Sequence, residues 1–173
     1  MIIDELVARI STLSNCTVLP PNGLPRINNE HELTEEIIRF YELCGGVTLY
    51  EDAPYSVRIL TPREVVQASS IFWNDEVLEA AQNSIEMKVS SSWYAIVDLH
   101  DSNYISIDFN KSRLGWCYQT FWDSYAVIGE TPVVARSFGN LLEQLIENQG
   151  EYWYFLKDDF ESLGDAYDHV EMT

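Results

Sequence analysis

The apolar period changes twice along this chain, and the order of those changes limits the folds open to it. Ile3, Leu6, Val7, Ile10 and Leu13 recur at the spacing of one helix face, so roughly the first 15 residues read as an amphipathic helix. The stretch Leu19-Pro20-Pro21-Asn22-Gly23-Leu24-Pro25 ends it, because proline removes a donor and fixes φ. A second helix is expected from Thr34. Its hydroxyl can cap the first turn, Glu35 and Glu36 complement the positive helix end, and Gly45-Gly46 supplies a stop.

After that glycine pair the period shortens. Val47–Tyr50 and Tyr55–Leu60 read as strands around an acidic turn with Pro54. Thr61-Pro62-Arg63-Glu64 has the composition of a capping box with proline at the first helical position, and predicts a helix running through Val65 and Val66. Residues 70–90 read ambiguously, with Phe72, Trp73, Val77, Leu78 and Ala81 at helical spacing interrupted by Asn74-Asp75. Trp93–Asp98 and Tyr104–Phe109 form an expected hairpin, followed by a turn at Asn110-Lys111-Ser112 and a strand over Leu114–Tyr118. Val133–Ala135 is a short strand. Ser137 then caps a helix with the stripe Leu141, Leu142, Leu145 and Ile146, ending at Gly150. Helices at both ends of a central run of strands, without strand–helix–strand alternation, imply α+β. With 173 residues and no linker or repeat, residues 1–173 read as a single domain: a central, largely antiparallel sheet with helices packed on it.

Charge narrows the function. Ten Lys and Arg stand against 28 Asp and Glu, a formal net charge of −18. Such a chain is repelled by nucleic-acid phosphates and by anionic membranes, so neither is an expected partner. The excess is uneven: residues 121–173 hold 11 acids and 2 bases, a net of 2 − 11 = −9, which is half the total. In that stretch the acids are interleaved with Trp122, Tyr125, Tyr152, Trp153, Tyr154, Phe160 and Tyr167. Rings with carboxylates suit a basic protein surface; equally, the rings can be core and the acids a solvated face.

Catalytic signatures are missing. The chain has no G-x-x-x-x-G-K-[ST], G-x-G-x-x-G, H-E-x-x-H or G-x-S-x-G, and His31, His100 and His169 are scattered. A dyad of Cys117 with His100 has no local support. Set as a calcium loop from Asp159, the tail offers Leu163 at the fifth place and Val170 where a bidentate Glu is required, so that reading fails and no metal or cofactor is expected. Cys16, Cys44 and Cys117 make no C-x-x-C pair and read as free thiols; with acids at positions 4 and 5 and no basic leader, a cytoplasmic location is expected. Paired carboxylates leave a hydrolase formally open.

Several segments resemble one known family. Phe40-Tyr41-Glu42-Leu43-Cys44-Gly45-Gly46-Val47 is similar to the helix and glycine pair of the SUKH superfamily, the Smi/Knr-type cell-wall regulators and their bacterial relatives. Thr61-Pro62-Arg63-Glu64, Tyr104-Ile105-Ser106-Ile107-Asp108, Leu114-Gly115-Trp116-Cys117 and Val133–Phe138 before Leu141-Leu142 follow in the family's order. The resemblance is strongest over about residues 30–150; within the acidic, aromatic C-terminal segment 151–173, the stretch 158–168 looks like the tail of one bacterial subfamily. It implies an α+β domain without enzymatic activity, and a bacterial immunity protein that neutralises a cognate toxin by binding it. Nuclease toxins are common partners there, and a basic nuclease would suit an acidic inhibitor. A regulatory or scaffold module of Smi/Knr type is the alternative. A basic partner needs countercharges, and those expected to face it are Asp98, Asp101 and Asp108 on the strands, Asp123 and Glu130, and Asp158, Asp159 and Glu161 in the tail.

Overall fold

A computed structural model describes residues 2–170. Its strands are β1 (Thr17–Val18), β2 (Val47–Leu49), β3 (Val57–Ile59), β4 (Trp93–Asp98), β5 (Asn103–Asp108), β6 (Cys117–Phe121) and β7 (Val133–Ala135). They lie in the sheet in chain order, each antiparallel to the next. The helices are α1 (Ile2–Ser11), α2 (Glu35–Leu43), α3 (Ala68–Phe72), α4 (Asp75–Ala81), α5 (Ile85–Ser90) and α6 (Phe138–Asn148). The α+β expectation is met, with the sheet as a meander.

Three helices form where local chemistry says they should. In α1 the residues at i, i+3, i+4 and i+7, namely Ile3, Leu6, Val7 and Ile10, are all buried. Thr34 Oγ1 accepts the Ile37 N–H at 3.0 Å to open α2, and Ser137 Oγ accepts the Asn140 N–H at 3.1 Å to open α6. The apolar stripes of these helices meet over one sheet face, with the Phe40 and Phe138 rings 5.0 Å apart. After α2 the chain turns at Gly46, with φ +120°, where a Cβ would sit 2.8 Å from the Ile59 carbonyl; only glycine fits.

Strand alternation sends neighbours to opposite faces. Tyr94, Cys117 and Val134 join the core under α1, α2 and α6, while Trp93, Tyr118 and Val133 join a second, smaller core. That second core is closed by Ala68 of α3, Val89 of α5, Tyr125 and Ala126 from the β6–β7 connection, and Ala166 and Tyr167 from the C-terminal segment.

Two expectations need correction, over 61–66 and 114–118, and the open reading of 70–90 is resolved. Thr61–Glu64 does form a turn, with the Glu64 carboxylate accepting the Thr61 N–H at 3.1 Å, but it stops as a single 3-10 turn over Pro62–Glu64. Val65 is extended, the Val66 carbonyl accepts the Ala95 N–H at 2.9 Å and Gln67 bridges Tyr94, so β4 takes the backbone groups a helix would need. Residues 70–90 resolve into three short helices, with Asn74 and Ser84 capping the second and third. The strand expected over 114–118 begins at Cys117 instead. Gly115 N–H and Asp108 N–H bond across to the Asp108 and Trp116 carbonyls, which spends Leu114–Trp116 on closing the turn.

Candidate functional site

The acids that sequence reasoning grouped as countercharges are sorted by the fold into three environments. Asp108 lies inside. It has no exposed surface, because its strand position faces the second core. Its carboxylate accepts from Ser92 Oγ at 2.6 Å, Asn110 N–H at 2.9 Å, Arg113 Nε at 2.9 Å and Tyr118 OH at 2.6 Å. Four donors use the acceptor capacity of the group, and burial together with this charge holds the Tyr118 phenol well above its ordinary range. Asp108 therefore belongs to the scaffold and drops out of the surface set.

Asp98, Asp101 and Asp123 gather at one end of the sheet. Asp98 Oδ1 accepts the His100 N–H at 2.8 Å, forming the local turn that starts the β4–β5 connection. His100, Asp101 and Ser102 all take positive φ, at 71°, 54° and 62°. The Asp98 charge is partly spent: Arg58 reaches it at 3.4 Å and forks onto Glu64 at 2.7 and 2.8 Å. These bonds pull the Glu64 carboxyl down to about 2, with the Arg58 guanidinium as the main cause and the Thr61 N–H and hydroxyl adding to it. Asp101 is exposed and makes no hydrogen bond or ion pair with the described residues. Asp123 is likewise exposed and unpaired, and it is brought alongside by register: Asn103 pairs with Phe121, and Asn103 Oδ1 accepts the Trp122 N–H at 3.2 Å.

The connection from β6 to β7 is an ordered loop. Val127 N–H bonds the Ser124 carbonyl at 3.1 Å and Glu130 N–H bonds the Val127 carbonyl at 3.0 Å. Asp165, from the C-terminal segment, accepts the Gly129 N–H at 3.2 Å and the Thr131 N–H at 2.7 Å. The backbone there pairs too, Ala166 N–H with the Thr131 carbonyl and Val133 N–H with the Gly164 carbonyl, both at 2.9 Å. Glu130 stays exposed on this loop, beside exposed Val127 and Ile128.

Tail acids occupy a third place. Asp159 and Glu161 line an open groove of about 460 Å³ against α6, together with Glu147 and Glu151. Lys157 is drawn into the same wall, with Nζ 2.9 Å from Asn148 Oδ1 and 3.4 Å from Glu151. Asp158 is exposed. The interleaved rings divide in the same way. Tyr125, Tyr154 and Tyr167 are core, Trp153 and Phe160 are half-buried, and Trp122 and Tyr152 face solvent.

Nothing in this arrangement assembles a nucleophile. Cys117 is fully buried, its thiol pushed up by desolvation, and it lies beside Ile107 in the sheet, whereas His100 precedes Asn103 at the opposite end of β5, about 13 Å away along the strand. Among the described residues no three His, Cys, Asp or Glu side chains are placed to hold a metal ion, and no helix is long and apolar enough to cross a membrane. Sequence reasoning missed two residues of consequence: Asp165 as a staple for the β6–β7 loop, and the isolation of Trp122 from the other rings. Neither has a local signal, since both depend on which distant segment covers which face.

No protein-family model matches the chain. Among curated proteins it is similar to Immunity protein YokJ of Bacillus subtilis (strain 168), with 41% identity over 172 residues, covering 99% of this chain and 99% of that one.

Proposed function

The chain belongs to the family of Immunity protein YokJ, and from that premise we propose that it is itself a non-enzymatic immunity protein that neutralises a cognate toxin by direct binding. The observation that supports this reading is the end-to-end similarity: 99% of both chains align, so the likeness is to a whole immunity protein and not to a shared fragment. The toxin is basic and of nuclease type, because a net charge of −18 on the inhibitor complements a surface built to hold phosphates. Inhibition is by occlusion, with no covalent step, and takes place in the cytoplasm. The SUKH resemblance is part of the same proposal, and a meander backed by helices at both chain ends agrees with it.

Co-expression with the product of the adjacent gene tests the proposal. Wild-type chain restores growth and co-purifies with the toxin domain. The association rate of the pair falls by about an order of magnitude between low and high salt, as electrostatically steered encounters do. Persistent growth arrest overturns the immunity role, and an association rate indifferent to salt overturns the electrostatic part.

A further inference from the structure

Trp122 is 66% exposed, the most solvent-exposed of the large apolar side chains among the described residues. An exposed ring on a floppy loop would mean little, but this backbone is held at both ends. Trp122 N–H is bonded to Asn103, Ser124 N–H returns to the Phe121 carbonyl at 3.1 Å, and Tyr125 and Ala126 are anchored in the second core beneath. The Tyr167 hydroxyl reaches the Ala126 carbonyl at 3.4 Å, and Asp165 clamps Gly129 and Thr131. The fold therefore holds an indole out in water, where its apolar surface is unfavourably hydrated. The same loop exposes Val127 and Ile128.

Two acids lie close to Trp122 along the chain and across the strand register. Asp123 follows it in sequence, and Asp101 lies two residues before the Asn103 that holds its backbone. Both carboxylates are exposed and without partners among the described residues, whereas Asp98 on the same edge already has Arg58. A flat aromatic face beside unpaired carboxylates matches one side chain best. A guanidinium is planar, weakly hydrated, stacks flat on indole and donates in a fork to carboxylate; an ammonium is a strongly hydrated point charge that can neither stack flat nor fork.

We propose that Trp122, together with Asp101 and Asp123, is the seat for an arginine-bearing segment of the basic protein partner. This deepens the immunity reading and rests on it for the partner's identity, but the seat itself is tested without any toxin. The probe is an acetylated arginine hexamer in about 10 mM salt, where the Debye length is about 30 Å. Binding is followed by the indole N–H resonances in NMR, with Trp122→Phe assigning the relevant one.

The Trp122 resonance moves saturably with the arginine peptide. A lysine hexamer binds about threefold more weakly, since it keeps the charge but loses the planar stacking and the forked pairing. Trp122→Ala, a surface change that leaves the thermal melt in place, weakens binding about tenfold, as does Asp101→Asn with Asp123→Asn. Asp159→Asn with Glu161→Gln, in the α6 groove, leaves it unchanged. A Trp122 resonance that stays still while the groove residues shift, equal binding by Trp122→Ala, or no preference over lysine each overturns the proposal. Failure of the wild-type chain to rescue growth counts against the immunity reading alone, because the peptide titration still decides the seat.

Discussion

Replacing Asp108 with asparagine keeps its shape and removes its charge, and the structure sets the cost. Arg113 Nε, 2.9 Å away on a side chain only 16% exposed, loses its counterion. Ser92 and Tyr118, both at 2.6 Å, exchange an ionised acceptor for a neutral one, and one of the four donors now faces an amide NH₂. A hydrogen bond to a charged group is worth about 1 kcal/mol more than a neutral one, so two such bonds account for about 2 kcal/mol. The partly buried guanidinium left behind adds about 1 kcal/mol, which places Asp108→Asn near 3 kcal/mol, the low end for breaking a buried pair. For a chain of this size that corresponds to a melting temperature lowered by about 6–12 °C. With an m-value of about 2 kcal/mol/M, the urea midpoint falls by about 1.5 M. Trp93, whose ring centroid lies 4.8 Å from that of Tyr118, provides a fluorescence probe beside the lesion. A companion variant, Arg113→Gln, should be less than additive with it by about 1–2 kcal/mol. A midpoint shift below about 0.5 M would refute the claim that this carboxylate belongs to the scaffold. Weaker binding of the arginine hexamer by the folded variant would refute it from the other side.

Two further outcomes follow from the titratable groups. Glu64 is held at about 2 against an ordinary 4.5, so its contribution is complete above about pH 4.5 and is lost as pH falls towards 2. Taken whole, such a shift is about 3 kcal/mol. With Arg58 and Glu64 side chains 33% and 39% exposed, screening leaves about 1 kcal/mol, which Glu64→Gln removes at neutral pH while flattening the stability profile over that acid window. Acid titrations that superimpose for the two proteins would contradict it. For the thiols, burial raises all three, so iodoacetamide at neutral pH labels half-buried Cys16 first, and Cys44 and Cys117 only on unfolding, as read by intact mass. Labelling of native Cys117 would be inconsistent with this packing.

The elements legible in the sequence are those whose signals are local. The α1 stripe, the Thr34 and Ser137 caps and the β4–β5 hairpin depend on residues within a turn or two of one another, and each formed where its pattern placed it. The Thr61–Glu64 turn carried the right cap and still ended after one turn, because its following residues were claimed by β4, some 30 positions on. Local propensity yields when a distant strand offers the backbone a partner.

Asp101 and Asp108 separate the two kinds of knowledge most sharply. Both are aspartates on or beside β5, and composition ranks them alike. Alternation along a strand says that Asp108 shares a side with Ser106 and not with Ile107; it does not say whether that side is wet. Here it is dry, because α3, α5 and a C-terminal segment ending near Tyr167 close over it, and the same closure buries Trp93 and Tyr167 while leaving Trp122 outside. Charge and helix faces were determined by the sequence alone. Which acids and rings reach solvent was decided only by that long-range covering, since burial depends on segments that are neighbours in space and not in the chain.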